Sequence, residues 1–177
     1  ERQRPRSWKE GARSAPLRAS RPQPYAMITI IAVGRLKAGP LKDLCDEFRR
    51  RIPLPLEIRE VEERRPVSGD ERKQREGNLI LKDLPKGALA VALDERGRAY
   101  DSAGFAKQVA AWRDRSGDNL AFIVGGADGL APAVLTQAAA RLALGTMTWP
   151  HMLARAMLLE QLYRAHTILT GHPYHRP

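Results

Sequence analysis

The chain has 177 residues, 43% of them apolar, and 30 lysines and arginines against 20 carboxylates, a net charge of +10. That length suits one domain with its own core, and the single cysteine, Cys45, excludes an internal disulfide. No stretch approaches the ~18 apolar residues of a membrane span, and the basic excess suits a polyanionic partner without demanding one.

Residues 1–26 carry Arg2, Arg4, Arg6, Lys9, Arg13, Arg18 and Arg21 against Glu1 and Glu10, half of the whole excess, with Pro5, Pro16, Pro22 and Pro24 among them. This basic head has no hydrophobic period and cannot offset its ordering entropy by burial, so it reads as disordered and outside the fold. It lacks the apolar centre of a secretory signal. Being Arg-rich and acid-poor it faintly resembles a transit peptide, but without a clear amphipathic helix. The folded pattern begins at Met27, which reads as the natural start, with the head as upstream sequence. The expected domain is therefore residues 27–177, in the cytoplasm.

From Met27 onward strands and helices alternate. Ile28 to Val33 is a continuous apolar run, as expected of a strand covered on both faces, and Gly34 ends it. Leu41, Leu44, Cys45, Phe48 and Ile52 recur at helical spacing behind the start signal Gly39-Pro40. Leu56 to Val61 alternates and predicts a second strand nearer an edge. The charged segment from Glu62 to Lys82 ends in a helix that includes Leu79, Ile80 and Leu84. Ala88 to Leu93 is a third strand, stopped by Asp94. Ser102 can cap a helix that turns Phe105, Val109 and Trp112 inward. Leu120 to Val124 is the fourth strand, Pro132 to Ala140 a short helix, and Arg141 to Leu144 the start of a fifth strand. The last helix runs from His151 to Leu169 and is apolar on more than one stripe. It is either sandwiched in the core or divided between the sheet and a second subunit. Glu160 and Arg164 stand four apart in the order that favours pairing. The alternation predicts an α/β fold with a mainly parallel sheet and helices on both faces.

Two turns at strand ends stand where an open α/β sheet places its ligand. The first is Phe122-Ile-Val-Gly-Gly-Ala-Asp-Gly-Leu130. It matches neither the Rossmann fingerprint nor the phosphate loop, and alone it is equally a tight strand-to-helix connection. The second is Leu144-Gly-Thr-Met-Thr-Trp-Pro-His151. With Leu93, its Leu144, Met147 and Trp149 could sandwich a flat ring, although each taken singly reads as core. The tail His172-Pro-Tyr-His-Arg176 offers Arg176 for an anion and His175 for a proton. Its two histidines are too few for zinc, so no metal is expected. The cations Arg35, Lys37, Arg64, Arg65, Arg72, Lys73 and Arg75 suggest an RNA-facing surface, against which Glu62, Glu63, Glu71 and Glu76 leave a plain solvated face equally open.

Taken in order, Met27-Ile-Thr-Ile-Ile-Ala-Val-Gly34, Val91-Ala-Leu-Asp94, the glycine turn, Met147-Thr-Trp-Pro-His151, Leu162-Tyr-Arg-Ala165 and His172-Pro-Tyr-His-Arg176 resemble the RlmH family of SPOUT-class methyltransferases. The resemblance spans Met27 to Arg176. It implies methylation of N3 of a pseudouridine in large-subunit ribosomal RNA, S-adenosylmethionine (SAM) as cofactor, a C-terminal trefoil knot, and a homodimer in which one subunit's tail completes the site. It implies cofactor contacts at Leu93, Gly125, Leu144, Gly145, Thr146, Met147, Thr148 and Trp149. At the substrate end it implies His151, Arg155, Tyr174, His175 and Arg176. Two readings compete: a SPOUT enzyme acting on transfer RNA, and an RNA-binding protein without catalysis.

Overall fold

The apolar run at the start of the folded region forms β1 (Met27–Val33), buried along nearly its whole length. The computed structural model describes residues 27–117 and 119–175. The basic head, residues 1–26, and Arg176 lie outside the described residues. After β1 come α1 (Pro40–Arg51), β2 (Leu56–Val61), α2 (Gly69–Asp83), β3 (Leu89–Ala99), α3 (Ser102–Ser116), β4 (Asn119–Val124), α4 (Pro132–Gln137), β5 (Ala140–Ala143) and α5 (His151–Thr170). The strands form one sheet in the order β2-β1-β4-β3-β5, and every pairing is parallel. All five carboxyl ends therefore open on one edge.

The two-residue period of the strands divides the core. Ile28, Ile30 and Ala32 of β1, with Leu120, Phe122 and Val124 of β4, face the layer formed by α1, α3 and α5. Ile31, Val33 and Ile123 face the thinner layer of α2 and α4. In the thick layer Trp112 is ringed edge-on by Tyr100, Phe105 and Phe122. The predicted sheet and helix assignments hold, with three differences in extent. Asp101, not Ser102, caps α3, its Oδ1 accepting from the Gly104 N–H at 2.6 Å. The short helix stops at Gln137 because Ala139 N donates to Ala90 O at 2.8 Å, which draws the chain into β5. Strand β3 does not stop at Asp94. Its register against β5 breaks between Leu93 and Arg98, and the residues between bulge outward. Gly97 is required there, because a Cβ would lie 2.7 Å from the backbone of Arg141 and Leu142.

Helix α5 shows why its sequence is apolar on more than one stripe. Arg155, Ala156, Leu158, Leu159, Leu162, Ala165 and Thr167 are buried between the sheet, α1 and α3. Leu169 near its end and Leu41 and Leu44 on the adjoining α1 remain exposed. No helix among the described residues is long and apolar enough to cross a membrane.

The α2–α4 contact is close. A Cβ on Gly77 would stand 2.6 Å from the Ala131 Cβ, and neither atom can swing aside. Overpacking costs about 1–3 kcal/mol, against roughly 1 kcal/mol gained in helix propensity. Gly77→Ala is expected to destabilise by about 1 kcal/mol, read as a lower urea midpoint at unchanged slope. A midpoint at or above wild type would show that the two helices are not pressed together.

Candidate active site

At the carboxyl edge of β4, β3 and β5 lies an open cleft of ≈ 890 Å³. The turn after β4 forms one wall. Its Gly129 N–H donates to Gly126 O at 3.1 Å, with Gly129 in the left-handed region at φ 78°. Gly125 faces the cleft, and a Cβ there would lie 3.0 Å from Leu130 Cγ and 3.2 Å from the Gly129 carbonyl carbon. Behind it, Gly126 is wedged on Val33 and on the buried carboxylate of Glu76. Burial, and then the nearby Asp128, hold the Glu76 acid above the usual carboxylate range.

The loop from β5 into α5 forms the opposite wall. Leu144, Gly145, Met147, Thr148 and Trp149 line the cleft together with Leu93 and Gly125. Thr146 is the one cofactor candidate that does not, and its side chain is exposed. Gly145 has φ 122°, which other residues adopt only with strain. Among the described residues, no backbone N–H of residues 145–149 donates to another backbone group. The Trp149 indole N–H is buried and also has no partner. Thr148 Oγ1 donates to Glu95 Oε2 at 3.1 Å, tying this loop to the β3 bulge.

The substrate-end candidates divide. His151 opens α5 and lines the cleft. Burial, then the adjacent Arg155 charge, depress its pKa below the ordinary 6.5. Arg155 does not line the cleft. It is only 1% exposed, and its guanidinium donates to Glu60 Oε1 at 2.5 Å, Gly34 O at 2.9 Å and Val33 O at 3.3 Å. The same Glu60 oxygen accepts from the Leu36 N–H at 2.9 Å. Tyr174 and His175 follow the other end of α5 and fold back along it, so that Tyr174 meets the helix at Glu160, about 13 Å along the axis from His151. There the Tyr174 hydroxyl donates to Glu160 Oε1 at 3.1 Å, the Arg164 guanidinium lies 4.9 Å from the Tyr174 ring centre, and Tyr163 stacks 4.7 Å away. Glu160 also accepts from Arg164 Nε at 2.9 Å, the pair expected from spacing. Burial and then Glu160 raise the Tyr174 pKa. His175 Nδ1 is buried without a partner. One chain thus brings the cofactor candidates and His151 together, and keeps Tyr174 and His175 away from them.

Lys73, named among the cations of a possible RNA-facing surface, lines the cleft, while sequence reasoning assigned no site role to Glu60, Glu76 or the other charged members of the cleft, Asp94, Glu95, Arg96, Asp128 and Arg141. Glu60 and Glu76 are single carboxylates within polar runs, and nothing in their spacing distinguishes them. Gly97, inside the run after Asp94, is the one signal that could have exposed the bulge.

Residues 27–175 match the family model described as a predicted SPOUT methyltransferase. The chain is similar to proteins named ribosomal RNA large subunit methyltransferase H. The one from Paramagnetospirillum magneticum is 53% identical over 150 residues, covering 85% of this chain and 99% of the relative. The Rhodospirillum centenum protein is 52% identical, covering 83% and 97%. The Dinoroseobacter shibae protein is 48% identical, covering 84% and 98%. A solved Legionella pneumophila structure, described as a methyltransferase with bound SAM, is similar at a TM-score of 0.45 and 10% identity, over 78% of this chain and 66% of that one. At that distance the likeness carries no argument.

Two outcomes follow from the geometry. Arg155→Met leaves Glu60 and two carbonyls without their donor, and is expected to cost about 2–4 kcal/mol of stability. An unchanged urea midpoint would mean the clamp is not formed. His151 is held neutral in the fold, so the unfolded chain takes up its proton first as pH falls. Its stabilising contribution is whole above pH 6.5 and is lost as pH falls toward the depressed folded value. His166, also pushed down by burial and by Arg113 and His172, acts in the same direction but is common to both proteins compared. Between about pH 7.5 and 5.5, His151→Gln should therefore lose less stability than wild type, and parallel urea-midpoint curves would refute this.

Proposed function

The chain belongs to the SPOUT methyltransferase family, and we propose that it transfers a methyl group from SAM to N3 of a pseudouridine in large-subunit ribosomal RNA. The observation that carries the cofactor half is the loop of residues 145–149. Its backbone donors are unspent, it faces the cleft beside Leu93 and Leu144, and it stands opposite a glycine turn that is crowded against a side chain at Gly125. These residues fit the cofactor. Free amide groups suit the hydrogen-bonding edge of adenine, and Leu93, Leu144 and Met147 suit its faces. The unpartnered Trp149 N–H adds a further donor.

SAM supplies a methyl group made electrophilic by its sulfonium. The N3–H bond of the base breaks as the N3–C bond forms, and the electrons of the old S–C bond remain on sulfur. The protein's own work is placement and charge. His151, neutral and half-buried at the cleft, is available to accept a proton. His175 takes the N3 proton directly or through water, and Arg176 supplies positive charge to the flanking carbonyls. Arg155 acts through the backbone it clamps and not by touching the base.

The active form is a homodimer, each cleft completed by the partner's tail. What supports this is the placement of the tail: within one chain Tyr174 meets α5 at Glu160, about 13 Å along the helix from His151. Leu41 and Leu44 at the start of α1 and Leu169 near the end of α5 are exposed apolar residues on which a copy can pack. Residues 27–177 form the methyltransferase domain, with the C-terminal trefoil knot of the family, working in the cytoplasm.

Gly125→Val should abolish calorimetrically measured SAM binding, and Tyr174→Ala with His175→Ala should spare binding and abolish turnover. If the site is shared, mixing these two inactive proteins under subunit exchange restores about a quarter of wild-type activity, since half the dimers are mixed and each holds one complete site. Restoration of none would leave the tail acting within its own chain or not at all. Wild type that fails to bind SAM would favour a non-catalytic RNA-binding protein.

A further inference from the structure

The cations that look most like a nucleic-acid surface in the sequence are largely neutralised in the fold. Arg35 and Arg64 pair with Glu62, Arg65 with Glu63, and Arg75 with Glu63 and Glu71. Arg72 turns to Asp128 and to the Val67 carbonyl. The available positive charge at the site lies elsewhere, in the lining of the cleft.

Three cations line the cleft from three different elements: Lys73 on α2, Arg96 on the β3 bulge and Arg141 on β5. The Arg96 side chain is exposed and has no partner among the described residues. Arg141 reaches only Asp94, at 3.6 Å, and is 45% exposed. Lys73 reaches only Asp70, at 3.6 Å. The two carboxylates of the bulge are turned to internal use. Asp94 is 13% exposed and accepts from the Arg96 N–H at 3.0 Å, and Glu95 holds Thr148. The bulge thus spends its acids on the protein and presents its arginine outward.

An enzyme that works on a base must draw that base out of its stack into the pocket, which leaves the flanking phosphates at the pocket mouth. We infer that Arg96, Arg141 and Lys73 form a phosphate-binding rim that grips the RNA backbone on either side of the target nucleotide. This rests on the RNA substrate proposed above.

The test is the salt dependence of binding to ribosomes carrying unmodified ribosomal RNA, between about 50 and 200 mM KCl. Each phosphate contact contributes about 0.7–0.9 to the slope of log affinity against log salt, so R96A/R141A should lower its magnitude by about 1.4–1.8. R96K/R141K should restore most of it, since lysine serves a phosphate as a point charge. K86A/R115A removes the same charge at the opposite, amino edge of the sheet and should leave the slope as in wild type. Calorimetric SAM binding by R96A/R141A should equal wild type, which certifies its fold. A wild-type slope in R96A/R141A overturns the rim alone, as does an equal fall in K86A/R115A. Wild type that binds SAM but shows no salt-dependent affinity for ribosomes overturns the RNA substrate, and the rim with it.

Discussion

The guanidinium of Arg155 is the constraint on which the site depends. It is buried under α5 and donates to the carbonyls that end β1 and to Glu60 on β2. A buried guanidinium is costly unless its donors are met, and here Nη1 and Nη2 are met by fixed backbone and one carboxylate, while Nε is buried without a partner. The residue sits four positions into α5, so the clamp fixes the start of that helix against the carboxyl edge of the sheet. The loop of residues 145–149 ends at that same start. The clamp at one end and the Thr148–Glu95 hydrogen bond within the loop together hold this wall of the cleft opposite Gly125.

That constraint also separates the chemistry. A helix pinned at its first turn and packed along the sheet must deliver its far end about 30 Å away. The tail then folds back on α5, with Tyr174 closing over Glu160, Arg164 and Tyr163. The tail is therefore held against the middle of α5, about 13 Å along the helix from His151. For the homodimer proposed above, a two-fold axis is the simplest operation that would bring the tail of one chain to the cleft of another. The exposed Leu41, Leu44 and Leu169 are available to such a contact.

Much of the fold was legible in the sequence because its strands are buried on both faces. Continuous apolar runs such as Ile28 to Val33 admit few other readings, and their parallel order follows from the helices between them. The β3 bulge was not legible. Asp94 is a reasonable strand terminator by type, and only the close approach of Gly97 to β5 shows the strand continuing. The candidate site divided in the same way. Leu93, Gly125 and the loop after β5 met in one cleft because backbone topology alone carries them there. Arg155 carries the same charge whether it faces substrate or a strand end, and its sequence neighbours do not distinguish the two. Its partner Glu60 lies 95 residues away, beyond any local pattern.

The cleft is lined by apolar residues and by charges of both signs, which bears on how a cationic cofactor and a polyanionic substrate can share it. Its inner surface is leucine, glycine and backbone, which can hold a flat ring without opposing charge. The lining also carries carboxylates, with Asp94, Glu95 and Asp128 each engaged with a protein donor. Arg96 and Arg141 stand exposed beside them. A cationic cofactor and a polyanionic substrate each find an unlike charge in such a lining. Asp94, Glu95 and Arg96 all come from the segment where β3 bulges, so a single irregularity in the sheet supplies charges of both signs to the cleft.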